Sequence, residues 1–209
     1  MFNFLSTADT VDFYRKSFLG LRREIVDGLQ NYSSPGVYDL AQRQSDGIKT
    51  KIVNGMRSLG LDENNCMLAF DGSLAVGVAN RESDIDGVVC LRTGEGFDTE
   101  SLEDKIDGLI KANGFESNIR VIDSSKPLSF MRQGVELGML LAGDYAIGDF
   151  DAGLLVRMID SSDRLEFIKV VLEDIYQKRL EMIINTGETH SKYLNRLSRL
   201  GREGTEGSI

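Results

Sequence analysis

Histidine and cysteine are scarce in this chain of 209 residues, which contains one histidine and two cysteines. The single histidine, His190, excludes a histidine-rich zinc site and leaves no convincing Ser-His-Asp arrangement. The cysteines, Cys66 and Cys90, lack metal-ligand spacing, and we expect them to be buried thiols in a reducing cytoplasm. The chemistry of the chain must therefore depend on other side chains.

Long apolar runs and an excess of basic charge are also missing. No run approaches the roughly 20 apolar residues of a membrane span, and the opening Met1–Leu5 is too short for a signal peptide. Acidic residues outnumber basic ones by 33 to 24, which gives a formal charge of −9. Extensive nucleic-acid binding needs clustered Lys and Arg, so a small molecule or a protein is the expected partner, without a membrane.

Apolar periodicity divides the chain into three parts. Residues 1–60 are predicted to form two helices, the first of them capped by Asp9 or Thr10. Residues 61–150 alternate short apolar runs with helical stretches, which predicts both strands and helices. Residues 151–209 are helical again, with a glycine-rich tail from Gly201 that we expect to be disordered. The fold class predicted is α/β (α+β), flanked by N- and C-terminal helices.

The segment 70–91 combines a Gly-Ser pair with two carboxylates. One apolar run ends at Gly72 and Ser73, where a helix can start, and a second run carries Asp84 and Asp86 at its entrance. In a strand these carboxylates share one face about 7 Å apart and repel each other by about 2 kcal/mol. A divalent cation would relieve that repulsion, and the free N–H groups of a helix start favour an anion. The segment therefore predicts a site for a metal-bound polyphosphate.

At these residues the chain resembles the nucleotidyltransferase superfamily, which includes DNA polymerase beta, the poly(A) and CCA-adding enzymes and the aminoglycoside nucleotidyltransferases. Its members share a Gly-Ser at a strand-to-helix turn and an Asp-x-Asp on the next strand, here Gly72, Ser73, Asp84 and Asp86, with Ser83 also in place. The resemblance implies a core with a small mixed sheet. It implies one or two Mg²⁺ ions, or Mn²⁺ in their place, on the two aspartates, and a nucleoside triphosphate on Gly72, Ser73 and Ser83.

Two positions depart from the superfamily pattern. Val76 stands where members often have an arginine before the second glycine, and Asp71 stands where they have an apolar or aromatic residue. Members also supply Lys, Arg or Tyr to the triphosphate or base from a helical unit after the core. A solvated helix face explains each of the candidates for that role equally simply, namely Lys169, Lys178, Arg179, Lys192 and Tyr193.

Superfamily enzymes place a third carboxylate on the strand that follows the Asp-x-Asp, as general base or further metal ligand. The third strand predicted here is Ser117–Asp123, and alternation would let Asp123 reach the site from the strand end. The polar residue embedded among apolar neighbours, however, is Arg120. In addition, Ile-Asp-Ser-Ser occurs at both 122–125 and 159–162, as expected at helix entries. Asp123 is either the third carboxylate or a cap.

The resemblance implies transfer of a nucleoside monophosphate from a nucleoside triphosphate to a hydroxyl of a small molecule or protein, with release of pyrophosphate. The catalytic and metal-binding carboxylates would be Asp84, Asp86 and Asp123, with Asp144 and Asp149 as weaker candidates for the third. Without a third carboxylate, the chain would be a non-catalytic nucleotide-binding or protein-interaction module of the same fold. A phosphohydrolase would be expected to use histidine ligands, which are lacking. The helix-rich flanks are compatible with a homodimer.

Overall fold

The computed structural model of the chain describes residues 6–92, 97–126, 132–160, 165–184 and 189–206. Over these residues the chain forms eight helices and four strands. In chain order they are α1 (Thr7–Tyr32), α2 (Val37–Ser58), β1 (Cys66–Phe70), α3 (Gly72–Ala75), β2 (Ile85–Leu91), α4 (Thr99–Ala112), β3 (Ser117–Asp123), α5 (Arg132–Ala142), β4 (Asp144–Ile147), α6 (Ala152–Asp160), α7 (Leu165–Ile184) and α8 (Thr189–Glu206).

The four strands form one mixed sheet in the order β3-β2-β1-β4. β1 is antiparallel to both β2 and β4, whereas β2 and β3 are parallel and are connected through α4, since a parallel pair requires a crossover. The α+β class and the small mixed sheet predicted from the sequence are confirmed. The antiparallel pairing places the end of β1 beside the start of β2.

Alternation along the strands gives the sheet two apolar faces. The α1 face includes Met67, Ala69 and Val88 and packs against α1, α5, α6 and α7. The α2 face includes Leu68 and Val89 and packs against α2 and α4. Because helices cover both faces, the ends of the strands are where polar side chains of the sheet can meet solvent and ligands.

The start of α1 corrects the predicted cap. Ser6, and not Asp9 or Thr10, is the N-cap, and its hydroxyl accepts a hydrogen bond from the Asp9 N–H at 3.2 Å. The Asp9 carboxylate accepts in return from the Ser6 N–H at 3.2 Å, which completes a capping box. Thr10 lies inside the helix, where its hydroxyl donates to the Ser6 carbonyl oxygen. The pair of reciprocal bonds makes the earlier start more stable.

The end of the chain also differs from the prediction. α8 continues to Glu206, so the tail expected to be disordered from Gly201 is helical over 201–206. A Cβ atom at Gly201 would lie 3.2 Å from Cγ2 of Val37, which shows that this glycine permits close packing of α8 against the start of α2. The caps predicted at Ser161 and Ser162 lie outside the described residues. No helix in the described part of the chain is both long and apolar enough to cross a membrane.

Candidate functional site

The end of β1 and the start of β2 meet at one edge of the sheet. Phe70 pairs with Gly87, and the next N–H group of the first chain, that of Asp71, donates to the carbonyl oxygen of Asp86 at 2.9 Å. Asp71 and Asp86 are therefore cross-strand neighbours whose side chains leave the sheet on the same side. Val88, two residues after Asp86, is buried in the α1 face, so both carboxylates lie on that face.

Asp84 lies one residue before β2 and is exposed. It and Asp86 flank Ile85, which is fully buried in the α2 face. The two carboxylates therefore lie on the opposite side from Ile85, as the Asp-x-Asp spacing predicted. The structure brings this pair together at the sheet edge.

The turn after β1 brings backbone into contact with Asp86. Gly72 has a φ of +57°, and a Cβ atom built on it would lie 2.6 Å from Oδ2 of Asp86. Only glycine combines that left-handed conformation with so close an approach. The predicted neighbourhood of Gly72 and Asp86 is thus present, and Ser73 follows with its side chain buried.

The helix predicted to begin at Gly72 is a single turn, which corrects the expected source of its anion affinity. A Schellman motif ends it, because the Val78 N–H donates to the Ser73 carbonyl oxygen at 2.9 Å and the Gly77 N–H to that of Leu74 at 3.3 Å. Gly77 takes the left-handed conformation that this motif requires, with a φ of +75°. Four residues carry little dipole, so an anion would depend on the free N–H groups of the first turn.

Asn118 occupies the position on β3 beside Asp86. The parallel register pairs these two residues, and Nδ2 of Asn118 donates to Oδ1 of Asp86 at 3.1 Å. The sequence analysis missed Asn118, although aligning the starts of the two predicted strands would have placed it there. An amide has no acid–base chemistry near neutral pH, so the residue beside Asp86 cannot serve as a general base.

The structure does not bring Asp123 to this edge. Its partner on β2 is Leu91, and it lies five residues beyond Asn118 on β3, a separation of about 16 Å at roughly 3.3 Å per residue. The predicted role of Asp123 as third carboxylate with Asp84 and Asp86 is therefore corrected, because β2 and β3 run parallel and the end of β3 lies far from the start of β2.

Asp123 instead holds the turn that follows β3. It is buried, and its Oδ1 accepts from the Ser125 N–H at 2.9 Å and from the Ser125 hydroxyl at 2.6 Å. Lys126 Nζ lies 3.6 Å from its Oδ2. Burial alone would raise the pKa of Asp123, but the Ser125 hydrogen bonds and Lys126 outweigh it and lower the pKa below its usual value. The capping alternative describes this residue.

Asp144 and Asp149 are also placed away from the carboxylate pair. Asp144 pairs with Phe70, which belongs to the α2 face, and its Oδ2 accepts from Lys49 Nζ at 2.5 Å. It therefore faces α2, on the opposite side of the sheet from Asp86. Asp149 follows the far end of β4 and is exposed.

Ser83 has a positioning role in the loop before Asp84. Its buried hydroxyl accepts from the Asn80 N–H at 2.9 Å and from Nη1 of Arg196 at 3.0 Å, and it donates to Oδ1 of Asn80 at 3.0 Å. These three bonds use the one donor and both acceptor sites of a hydroxyl. Ser83 therefore connects the loop to α8 and has no remaining capacity for the nucleotide contact that was predicted.

Helices α7 and α8 extend side chains toward the same edge. Arg179 of α7 forms an ion pair with Asp71, and Tyr193 of α8 lies beside them. Burial is the main cause that raises the pKa of Tyr193, with Arg196 opposing it and Asp71 and Asp86 adding to it. Arg179 and Tyr193 were among the sequence candidates, whereas Arg196 was not. Its spacing of three residues from Tyr193 on one helix face was the available signal.

The carboxylates at this edge fit one kind of metal site. The described residues contain no group of three or more His, Cys, Asp or Glu side chains placed to hold one ion. Mg²⁺, however, is commonly bound by one or two carboxylates together with substrate phosphates. Asp84 and Asp86 supply that number, and the absence of a side chain at Gly72 keeps backbone N–H groups close to them. The donor set fits Mg²⁺ that arrives with a polyphosphate.

Comparison of the chain with protein-family models, with characterised proteins and with solved structures found no match. A function for this chain therefore depends on the residues and distances at the sheet edge.

Proposed function

We propose that this chain is a metal-dependent nucleotidyltransferase that moves a nucleoside monophosphate from a nucleoside triphosphate to a hydroxyl of a small molecule or protein. The observation that carries the proposal is the contact between the Gly72 backbone and the Asp86 carboxylate, with Asp84 on the same side of the strand. An anion site and a cation site within one contact distance suit a polyphosphate bound with its metal.

Each group has a defined task in this proposal. Asp84 and Asp86 hold Mg²⁺, and the first N–H groups of α3 at Gly72 and Ser73 hold the phosphates. Bound there, Mg²⁺ would neutralise phosphate charge and favour ionisation of the attacking hydroxyl. The remaining work of the chain is positioning, which contributes strongly to phosphoryl transfers in general.

Asn118 favours a second candidate function. A carboxylate beside Asp86 could take a proton from the acceptor hydroxyl, but the Asn118 amide cannot. A chain with this residue would transfer slowly, or would bind nucleotide without transfer and act as a sensor or a subunit of a complex. Asn118→Asp separates the two functions.

Pyrophosphate release from each nucleoside triphosphate measures this difference, with water and the hydroxyls of the chain itself as acceptors. For a slow transferase we expect magnesium-dependent release by the wild type and a rise of about tenfold or more in Asn118→Asp, in the range of general-base effects. Asn113→Asp is the matched control, because Asn113 is an exposed helix cap, and its rate should equal that of the wild type. No release by any of the three proteins would favour the binding module.

Binding itself is tested by thermal unfolding with each nucleoside triphosphate, with and without Mg²⁺. Ligand at 100 times its dissociation constant should stabilise the protein by about 2.7 kcal/mol, which is a clear rise in Tm. The rise should require Mg²⁺ and should disappear in Asp86→Asn, whose own Tm without ligand reports whether the variant folds. No rise with any nucleotide in the wild type would overturn both functions.

A further inference from the structure

A small cavity adjoins the candidate site on the α1 face. Its volume is about 180 Å³, and it is enclosed by α1, the α3 turn, α7 and α8. Gly72 is part of its wall, so whatever fills the cavity lies next to a phosphate bound at that turn. The other side chains that matter are Leu21, Ile25, Val76, Asp71, Arg179 and Tyr193.

The size of the cavity limits its occupant. Pockets for a whole drug-sized ligand usually measure about 300–1,000 Å³, so 180 Å³ suits one ring system and excludes the sugar and phosphates. Its apolar wall, formed by Leu21, Ile25 and Val76, suits a flat, weakly hydrated group. The ring of Tyr193 adds the aromatic surface on which such a group can stack.

One wall carries a carboxylate beside a guanidinium. Asp71 and Arg179 form an ion pair whose side chains are only 16% and 22% exposed. The pair uses one N–H group of Arg179 and one oxygen of Asp71. A guanidinium has five N–H donors and a carboxylate has about four lone-pair sites, so the pair can still offer a donor next to an acceptor.

We infer that this cavity binds the base of the nucleoside triphosphate, stacked on Tyr193, with its hydrogen-bonding edge contacting Asp71 and Arg179. The inference rests on the proposed function and goes further by naming a class of base. A carboxylate can only accept hydrogen bonds, so a base with an exocyclic amino group is favoured. Uracil lacks one, and its ring N–H lies between two carbonyl oxygens that a carboxylate repels. Adenine, cytosine and guanine nucleotides are the expected ligands, and UTP the weakest.

A larger cavity of about 680 Å³ lies between the α1–α2 connection and the end of α8. Its wall includes Tyr32, Pro35 and Leu197, and it contains neither Gly72 nor a carboxylate. A base bound there would be remote from the phosphate turn. Tyr32 is therefore the matched aromatic control for Tyr193.

The test is titration of the full chain with ATP, CTP, GTP, UTP and inorganic tripolyphosphate in Mg²⁺, followed by calorimetry. We expect at least one amino-bearing nucleotide to bind about tenfold more tightly than tripolyphosphate, which has no base. Tyr193→Leu should remove about tenfold of nucleotide affinity, whereas Tyr193→Phe and Tyr32→Leu should stay within about twofold. Asp71→Asn should narrow the preference over UTP. Tripolyphosphate affinity should be unchanged in the Tyr193 and Tyr32 variants, which also shows that they fold.

The outcomes separate this inference from the proposed function. If tripolyphosphate and all nucleotides bind equally, or if Tyr193→Leu binds nucleotides as the wild type does, the base lies elsewhere and the inference fails. Loss of nucleotide affinity in Tyr32→Leu alone would assign the base to the larger cavity. If neither tripolyphosphate nor any nucleotide binds the wild type, the proposed function fails as well.

Discussion

Carboxylates occur at both ends of the sheet, but their surroundings differ. At the end where β1 stops and β2 starts, Asp84 is exposed and Asp86 contacts a glycine backbone and an amide. At the opposite end, Asp123 is buried under the hydrogen bonds of Ser125. A carboxylate whose neighbours satisfy it stabilises the fold, whereas one at an edge beside backbone N–H groups can bind a ligand.

The opposite end also contains an ion pair. Arg92, just after β2, donates from Nη1 to Oδ2 of Asp151 at 2.9 Å, and its carbonyl oxygen accepts from the Ser124 hydroxyl at 2.8 Å. These contacts connect three segments that leave the sheet. The same residue types therefore produce a structural network at one end and a candidate site at the other, and substitutions can test whether this division is real.

The largest expected effect is the loss of nucleotide transfer in Asp86→Asn. Replacing the carboxylate removes a metal ligand, and we expect the rate of pyrophosphate release to fall by about 10²–10³-fold or more, as for removal of other transition-state electrostatic groups. Asp123→Asn, at the opposite end, should retain the wild-type rate. Equal losses in the two variants would show that the two ends do not differ in function.

A second prediction compares two glycines with positive φ. Gly72→Ala and Gly60→Ala both place a side chain in the left-handed region, at φ values of +57° and +84°, so each should cost about 1–2 kcal/mol of unfolding free energy. Only at Gly72 does the new Cβ meet the Asp86 carboxylate, while nothing lies within 4 Å of it at Gly60. The carboxylate must rotate away, and we expect about tenfold weaker magnesium-dependent nucleotide binding in Gly72→Ala alone.

Denaturant unfolding and nucleotide titration of both glycine variants check this. Full nucleotide affinity in Gly72→Ala would contradict the role assigned to the contact between Gly72 and Asp86. A similar loss of affinity in Gly60→Ala would attribute the effect to general destabilisation.

The smallest expected effect concerns pH and stability at the opposite end. Because the pKa of Asp123 is lowered by folding, its stabilisation is fully present above the unfolded value of about 3.9 and is lost as the pH falls through the folded value. We expect Asp123→Asn to cost on the order of 1 kcal/mol at pH 7, with a cost that shrinks below about pH 4. Urea unfolding from pH 7 to pH 3 measures it, and a cost independent of pH would mean that the Asp123 charge contributes nothing.

Local patterns were enough to predict much of the fold. The third strand, Ser117–Asp123, has the predicted bounds, and α4 ends before Gly114, whose φ of +86° agrees with the predicted left-handed stop. Alternation and capping chemistry act over a few residues, so one segment contains the information for each. The start of α1 was wrong by a few residues because Asp9 takes part in a capping box from within the helix.

Long-range placement could not be predicted in the same way. Asp123 and Asn118 lie on one strand, and only the parallel register with β2 shows that Asn118, and not Asp123, lies beside Asp86. The ion pair between Asp71 and Arg179 joins residues 108 positions apart, and the nearest sequence signal was an unexplained acid before a glycine.

The sequence by itself determined the turn at Gly72 and Ser73, the carboxylate pair at Asp84 and Asp86, and the helix-flanked α+β class. Each of these follows from spacing within one segment, where backbone sterics and the alternation of side chains decide the outcome. The tertiary structure alone decided which groups surround that pair. Strand register and helix packing fix the distances between remote residues, and those distances determine whether a carboxylate holds a turn or faces a cavity.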